Sequence, residues 1–345
     1  MTSITISLLV LIAGIPPEQM GNVVADRLAA LDKLEIEMTL ERYNVPLSAS
    51  PLDRNAWTPI PGPEGGFRHQ ITVVRPCALG VMLTDDEGYT PTRYAANENG
   101  LVTQRLAPLE NGRTFFAESN YITHSLLTTA PVLDALDIHI ADSSIPLFNL
   151  RRIFEETEVA LVRTVGPVST YVASQLMNDT TQHYEFDLSE QGTPLRMKII
   201  LEWTMPDGRP AQAVREQFTL ATMAVNGAEL PSEVAFVPDP PVAAGLDYTT
   251  VTLVRITSAT VRPELTAESV ALAPEYRNSI VTTWDYFSEE RISTLEYDED
   301  GNQVALTRVE ESEARQAVRA ATPVTSGLVG LGVAVSLILA TRRRP

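Results

Sequence analysis

Residues Leu34–Tyr43 read LEIEMTLERY. Leu34, Ile36, Met38 and Leu40 alternate there with Glu35, Glu37, Thr39 and Glu41. Successive side chains of an extended chain point to opposite faces, so this stretch is a strand with one dry face and one wet face. The residues just before it follow another period. In Pro16–Asp32, PPEQMGNVVADRLAALD, the apolar Met20, Val23, Val24, Leu28 and Leu31 recur at helical spacing, which predicts an amphipathic helix. A helix running straight into a long half-buried strand opens the domain. Leu34, Ile36, Met38 and Leu40 are the candidate lining of an apolar, ligand-binding face.

Outward from this strand the chain is dominated by turns. A proline- and glycine-rich loop, SPLDRNAWTPIPGPEGG, is followed by strand-like pieces in GFRHQITVV, CALGVMLTDDEGYTPTRYAA and LVTQRLAPLENGRTFFAES. Their Asp-Glu-Gly and Glu-Asn-Gly steps are hairpin chemistry, so an antiparallel meander is expected. Between Tyr121 and Glu156 short helices are expected, interrupted by Pro131 and Pro146. Strands resume in ETEVALVRTV, STYVASQLM and QHYEFDLSEQGTPLRMKIILEWTMPDGRPAQAVREQFTLATM as successive hairpins, and GLDYTTVTLVRITSATVR is a further long strand. SIVTTWDYFSEERISTLEYDEDGNQVALTRV reads as a pair of strands about a turn, and EESEARQAVRAA as a charged helix. The fold class is mainly β (α+β). The expected architecture is a curved antiparallel sheet or half-barrel, with the N-terminal helix and short helices covering its concave face.

The composition excludes some functions. The chain has 345 residues, 44% of them hydrophobic, enough for a substantial core. Its 26 basic and 44 acidic residues leave a formal charge of −18, which repels phosphate backbones, and no nucleic-acid partner is expected. The single cysteine, Cys77, precludes an intrachain disulfide and reads as a small buried apolar side chain. His69, His124, His139 and His183 stand alone, without the spacing of a zinc site, and read as surface or strand residues. No nucleophile-elbow, P-loop or His-Glu-x-x-His motif occurs. In Asp298–Asn302, DEDGN, a hairpin turn is favoured over calcium, because the downstream glutamate of a calcium loop is missing. No catalytic residue, metal or cofactor is expected.

The two ends carry targeting information. ITISLLVLIAG, Ile4–Gly14, has the length of a signal-peptide core, and residues 1–15 are expected to be a signal peptide. Residues 16–310 form one β-rich domain, favoured over two, and residues 311–323 a charged helical linker. Residues 324–345 form a transmembrane anchor or sorting tail. Its apolar helix carries Leu328, Val329, Leu331, Val333, Val335, Leu337, Ile338 and Leu339. The basic flank Arg342, Arg343 and Arg344 is the kind retained on the cytoplasmic side, which places the main domain outside, periplasmic or at the cell surface. This tail resembles the sorting signals removed by sortase-like proteases of bacterial envelopes. Their best-known version carries Pro-Glu-Pro where this chain reads ATPVTSG.

The order of elements resembles the lipoprotein-carrier superfamily, which includes periplasmic lipoprotein carriers and envelope stress sensors. The similarity rests on the helix entering KLEIEMTLERY and on HYEFDLSEQGTPLRMKIILEWTMPDGRPAQAVREQFTLATMAVNGAELPSEVAF, where Asn226, Gly227, Leu230 and Pro231 match a small-Gly-x-x-Leu-Pro step. The resemblance implies an incomplete barrel around helices, with an apolar concavity for acyl chains. It points to a membrane-tethered binding protein for a lipid, a lipoprotein acyl chain or an envelope partner. A structural or surface-interaction protein whose concavity is self-filled is the alternative, and a hydrolase with a scattered site is a third reading.

Overall fold

The structure is a computed structural model that describes residues 14–61, 65–83, 91–97, 100–109, 111–119, 132, 135–136, 138, 149–177, 180–204, 208–238, 247–272, 276–285 and 290–308. Outside the described residues lie the apolar N-terminal run up to residue 13, the charged linker, the anchor from Leu328 to Leu339, Arg342–Arg344, His124 and His139. Among the described residues no helix is long and apolar enough to cross a membrane.

Helix α1 (Pro17–Ala30) begins with proline at its first position, where the missing N–H costs nothing, and carries Glu18 in its first turn. It buries Met20, Val24 and Leu28, as the sequence period requires. Only Leu31 and Asp32 separate its end from β1 (Lys33–Pro46). The short β2 (Thr58–Pro59) follows, and then the meander β3 (Gly66–Val74), β4 (Cys77–Leu83), β5 (Thr92–Asn97), β6 (Gly100–Arg105) and β7 (Thr114–Ser119). Beyond α2 (Leu150–Glu156) come β8 (Val159–Val165), β9 (Val168–Met177), β10 (Thr180–Ser189), β11 (Pro194–Thr204), β12 (Pro210–Val225), β13 (Ala228–Pro238) and β14 (Tyr248–Val261). The last strands are β15 (Ser279–Asp285), β16 (Glu290–Tyr297) and β17 (Gln303–Arg308).

Among the described residues these seventeen strands form one large curved, open sheet. β1 is its hub. On one side it pairs with β3, which leads in order to β7. On the other it pairs with β14, from which the ladder descends in order to β8. β2 extends the β3 side by pairing at Tyr43 and Asn44. Two features differ from a reading of successive hairpins. β7 pairs in parallel with β15, so the final strands are grafted onto the far end of the meander. SIVTTWDYFSEERISTLEYDEDGNQVALTRV makes three strands, β15 to β17, instead of a pair. The extra reversal falls between Asp285 and Glu290, where the sequence has no glycine, proline or asparagine to announce it.

Turn chemistry explains the reversals that the sequence announces. Asn226 and Gly227 both have positive φ, 50° and 78°, the pattern of a two-residue hairpin turn, and they join β12 to β13. This turn also holds the helix: Asn226 Nδ2 donates to Ala30 O at 3.4 Å and Arg27 Nη1 to Glu229 O at 3.4 Å. Gly192, φ 71°, turns β10 into β11, and a side chain there would lie 3.1 Å from Val24 Cγ2 on α1. Gly192→Ala should therefore lose about 1–2 kcal/mol from left-handed strain. A shift in urea midpoint at unchanged slope measures this, and an unchanged midpoint would contradict it.

Among the described residues two large apolar cores lie along the sheet, and Val45, Ala235 and Val251 form a smaller third. In the first, the β1 residues pack with β3–β6, β13 and β14 and with Val132, Ala135, Leu136 and Ile138. In the second, α1 and α2 cover β9, β10 and β11 through Met20, Val24, Leu150 and Ile153 against Tyr171, Phe186 and Ile199. The short α2 is capped by Asn149, whose side chain accepts from Arg152 N at 2.9 Å.

Candidate ligand-binding face

Leu34, Ile36, Met38 and Leu40 lie on one face of β1 and are 0–2% exposed. Register sets their neighbours. On β3 they face Val73, Ile71, His69 and Phe67 in that order, and on β14 Val261, Ala259, Ile256 and Val254. The pairing continues past a bulge in β14, where Thr257, the extra residue, donates from its hydroxyl to Glu37 O at 3.1 Å. Val132, Ala135, Leu136 and Ile138 are buried in the same core. Arg75, just past β3, holds this cover: Nη1 donates to Leu136 O, and Nε to Leu31 O at 3.4 Å.

The face is not wholly apolar. β3 alternates strictly, so His69 shares the inner side with Phe67 and Ile71, and it is fully buried with no hydrogen-bond partner on either ring nitrogen among the described residues. Burial pushes its pKa down to about 4, because desolvation penalises the imidazolium. Tyr94 is 1% exposed, and its hydroxyl is also unpartnered. Burial raises the Tyr94 pKa for the same reason. The rings of His69 and Tyr94 meet edge to face, with centroids 6.2 Å apart. Gly80 makes this possible. A Cβ there would sit 2.3 Å from Tyr94 Cζ, so the ring lies across β4 only where a side chain is absent. The same alternation in GFRHQITVV that marks β3 as a strand places His69 inside; that signal is present in the sequence, whereas the position of Tyr94 depends on the packing over Gly80.

The opposite, wet face of the hub is organised by charge. Arg255 on β14 bridges Glu41 at 3.0 Å and Glu233 at 2.8 Å, and Arg54 also reaches Glu233. Hydrogen bonds from Arg255 and Arg54 hold the Glu233 carboxyl below its usual range. Tyr43 donates to Glu41, and burial together with that bond and charge pushes its pKa up to about 12. Trp57 stacks at a tilt on Tyr43, 5.0 Å between centroids.

Elsewhere, Ser174 Oγ lies 2.8 Å from His183 Nδ1, and His183 Nε2 3.4 Å from Glu202. This row crosses β9, β10 and β11 on the solvent side, with His183 41% and Glu202 53% exposed. The β9 and β10 backbones around it are engaged in ladder pairing. Asp298 uses its carboxylate within the β16–β17 turn, accepting from Asp300 N and Asn302 N at 3.0 and 2.8 Å. Cys77 is half-buried rather than buried, because it opens β4 at the rim of the hairpin.

Several solved structures resemble this fold, among them the following two. One is a LolA superfamily protein from Nitrosomonas europaea, 9% identical, with a TM-score of 0.43 over 75% of this chain and 99% of that one. The other is a DUF1329 family protein from Desulfovibrio piger, 8% identical, with a TM-score of 0.41 over 75% of this chain and 100% of that one. The likeness to the lipoprotein-carrier superfamily is a weak one of fold. No protein-family model matches the chain, and no curated protein matches its sequence.

Proposed function

We propose that this chain is an extracytoplasmic, membrane-tethered binding protein that takes an apolar ligand, a lipid or lipoprotein acyl chain, between the β1 face and its cover. The observation that carries the reading is the make-up of that cover. Leu136 is buried against the sheet, and Arg75 donates to its main-chain carbonyl. The four described residues of the cover are all apolar, and withdrawing their side chains would uncover Leu34, Ile36, Met38 and Leu40 together. An acyl chain laid along them gains about 0.8 kcal/mol per methylene. Ten methylenes supply roughly 8 kcal/mol before ordering costs, so micromolar binding needs no charged contact.

The near-complete burial of those four residues favours a second reading, a structural protein whose interior is filled by its own side chains. One experiment separates the two. The chain purified without detergent should carry lipid visible by native mass spectrometry, or take up the apolar dye N-phenylnaphthylamine with a rise in fluorescence. A lipid-free protein that excludes the dye is the self-filled structure. A hydrolytic role through Ser174 and His183 predicts ester cleavage lost in Ser174→Ala; the binding reading predicts no turnover in either protein.

Tethering rests on the sequence of the tail. A charge at the centre of a membrane helix costs about 2.5–3.5 kcal/mol on insertion scales, and an uninterrupted apolar run avoids that cost. Truncation after Ala321 should move the protein from the membrane fraction to the soluble fraction. Continued sedimentation with membranes would show that another segment anchors it.

A further inference from the structure

Two buried polar side chains meet on the inner face of the sheet beside Thr103, whose hydroxyl is satisfied by Ala117 O. Both nitrogens of His69 and the Tyr94 hydroxyl are buried without a partner among the described residues. Leaving a buried donor or acceptor unmade costs about 1–3 kcal/mol each, and among the buried polar atoms of this chain without a partner these are the ones on the inner face beside β1. Here they face each other: the ring centroids are 6.2 Å apart. Gly80 lets Tyr94 reach from β5 over β4 in the direction of β3, with the hydroxyl 2.5 Å from where a Gly80 Cβ would stand. Both belong to the rows that contain the proposed ligand-binding residues. Ile36, Ile71, Gly80 and Tyr94 are in register across β1, β3, β4 and β5, and Met38, His69 and Met82 form the next row.

We infer that His69 and Tyr94 are the polar end of the ligand site and that they recognise the carbonyl of a neutral acyl ester whose hydrocarbon lies along the β1 face. The inference rests on the apolar-binding reading and deepens it by naming the ligand's chemical class. A neutral imidazole offers one N–H, and the phenol offers one O–H. A carbonyl oxygen accepts two such bonds through its two lone pairs. A carboxylate fits less well, because its charge would enter an apolar core where these two neutral groups supply no counter-charge. Arg75, the cation bonded to the cover, already donates to the main-chain carbonyls of Leu31 and Leu136 and sits six residues along the chain from His69.

The full-length chain, free of detergent, is loaded with N-phenylnaphthylamine, and the dye is displaced by methyl laurate, laurate or tridecane, which match to within one carbon and differ in the polar end. Methyl laurate should compete about 3- to 10-fold better than tridecane, the gain of one or two hydrogen bonds, and better than laurate at pH 8. Tyr94→Phe and His69→Leu should each remove most of that preference, read as the ratio of ester to alkane competition within each protein. Tyr94→Phe should also unfold no earlier on heating than the parent, because it deletes an unmet hydroxyl. Equal competition by ester and alkane in the parent, or a preference for laurate, overturns the inference while leaving apolar binding intact. Lower thermal stability of Tyr94→Phe overturns it too, by showing that the hydroxyl is satisfied within the protein. Failure of the dye to bind overturns the binding reading and this inference together.

Discussion

Met38→Asp should lose about 5 kcal/mol or more and leave the chain without its native sheet. Met38 is 0% exposed at the hub strand, between His69 of β3 and Ile256 of β14. Removing the methionine side chain alone costs about 2–5 kcal/mol in a core. Forcing a carboxyl into the same place adds the burial of an unpaired polar group, about 1–3 kcal/mol even when it stays protonated. Whole domains are stable by only about 5–15 kcal/mol. One residue earlier, the exposed Glu37 points to the other face, and Glu37→Ala should change stability by no more than about 0.5 kcal/mol. Urea unfolding followed by far-ultraviolet circular dichroism compares the three proteins. A Met38→Asp chain within about 1 kcal/mol of the parent would mean that this face opens to water, contrary to the packing described.

That contrast between neighbours is the part of the fold that the sequence states openly. The alternation in LEIEMTLERY and the helical spacing in PPEQMGNVVADRLAALD are local, and both emerge as written in β1 and α1. Local turn chemistry is equally direct at Asn226–Gly227 and Gly192. What the sequence does not state is who pairs with whom over distance. β1 pairs with β14 at the far end of the chain, and β7 lies parallel to β15. Neither pairing has a connecting turn whose residues mark it, and apolar alternation is common to many of the strands. Charge offers a partial clue, since Glu41 and Glu233 both bond to Arg255, but such pairs are recognisable only once the strands are side by side. For the candidate site, the apolar lining is legible from period alone. Its polar end is hidden because a lone histidine and a lone tyrosine say nothing until Gly80 brings them together.

Acid should weaken the protein through His69. In the unfolded chain this imidazole takes up a proton near its ordinary value of 6.5, whereas burial in the folded state delays protonation until about 4. Between those values the unfolded state binds the extra proton, so stability falls as pH drops from 6.5 towards 4 and is independent of this group well above 6.5. Each tenfold difference in proton affinity between the two states corresponds to about 1.4 kcal/mol, so the contribution lost between about pH 7.5 and 4.5 is about 2.5 kcal/mol. Glu233 works in the same direction, since its bonds to Arg255 and Arg54 hold its pKa low and their contribution declines as it protonates, but below the window in which His69 acts first. Substitution isolates the histidine: in His69→Leu the fall in stability over that range should be smaller by about 2.5 kcal/mol, measured as the difference of urea midpoints from the parent at each pH. Parallel curves for the two proteins would mean that His69 exchanges its proton as freely in the folded sheet as in water, and would place it at the surface instead of the core.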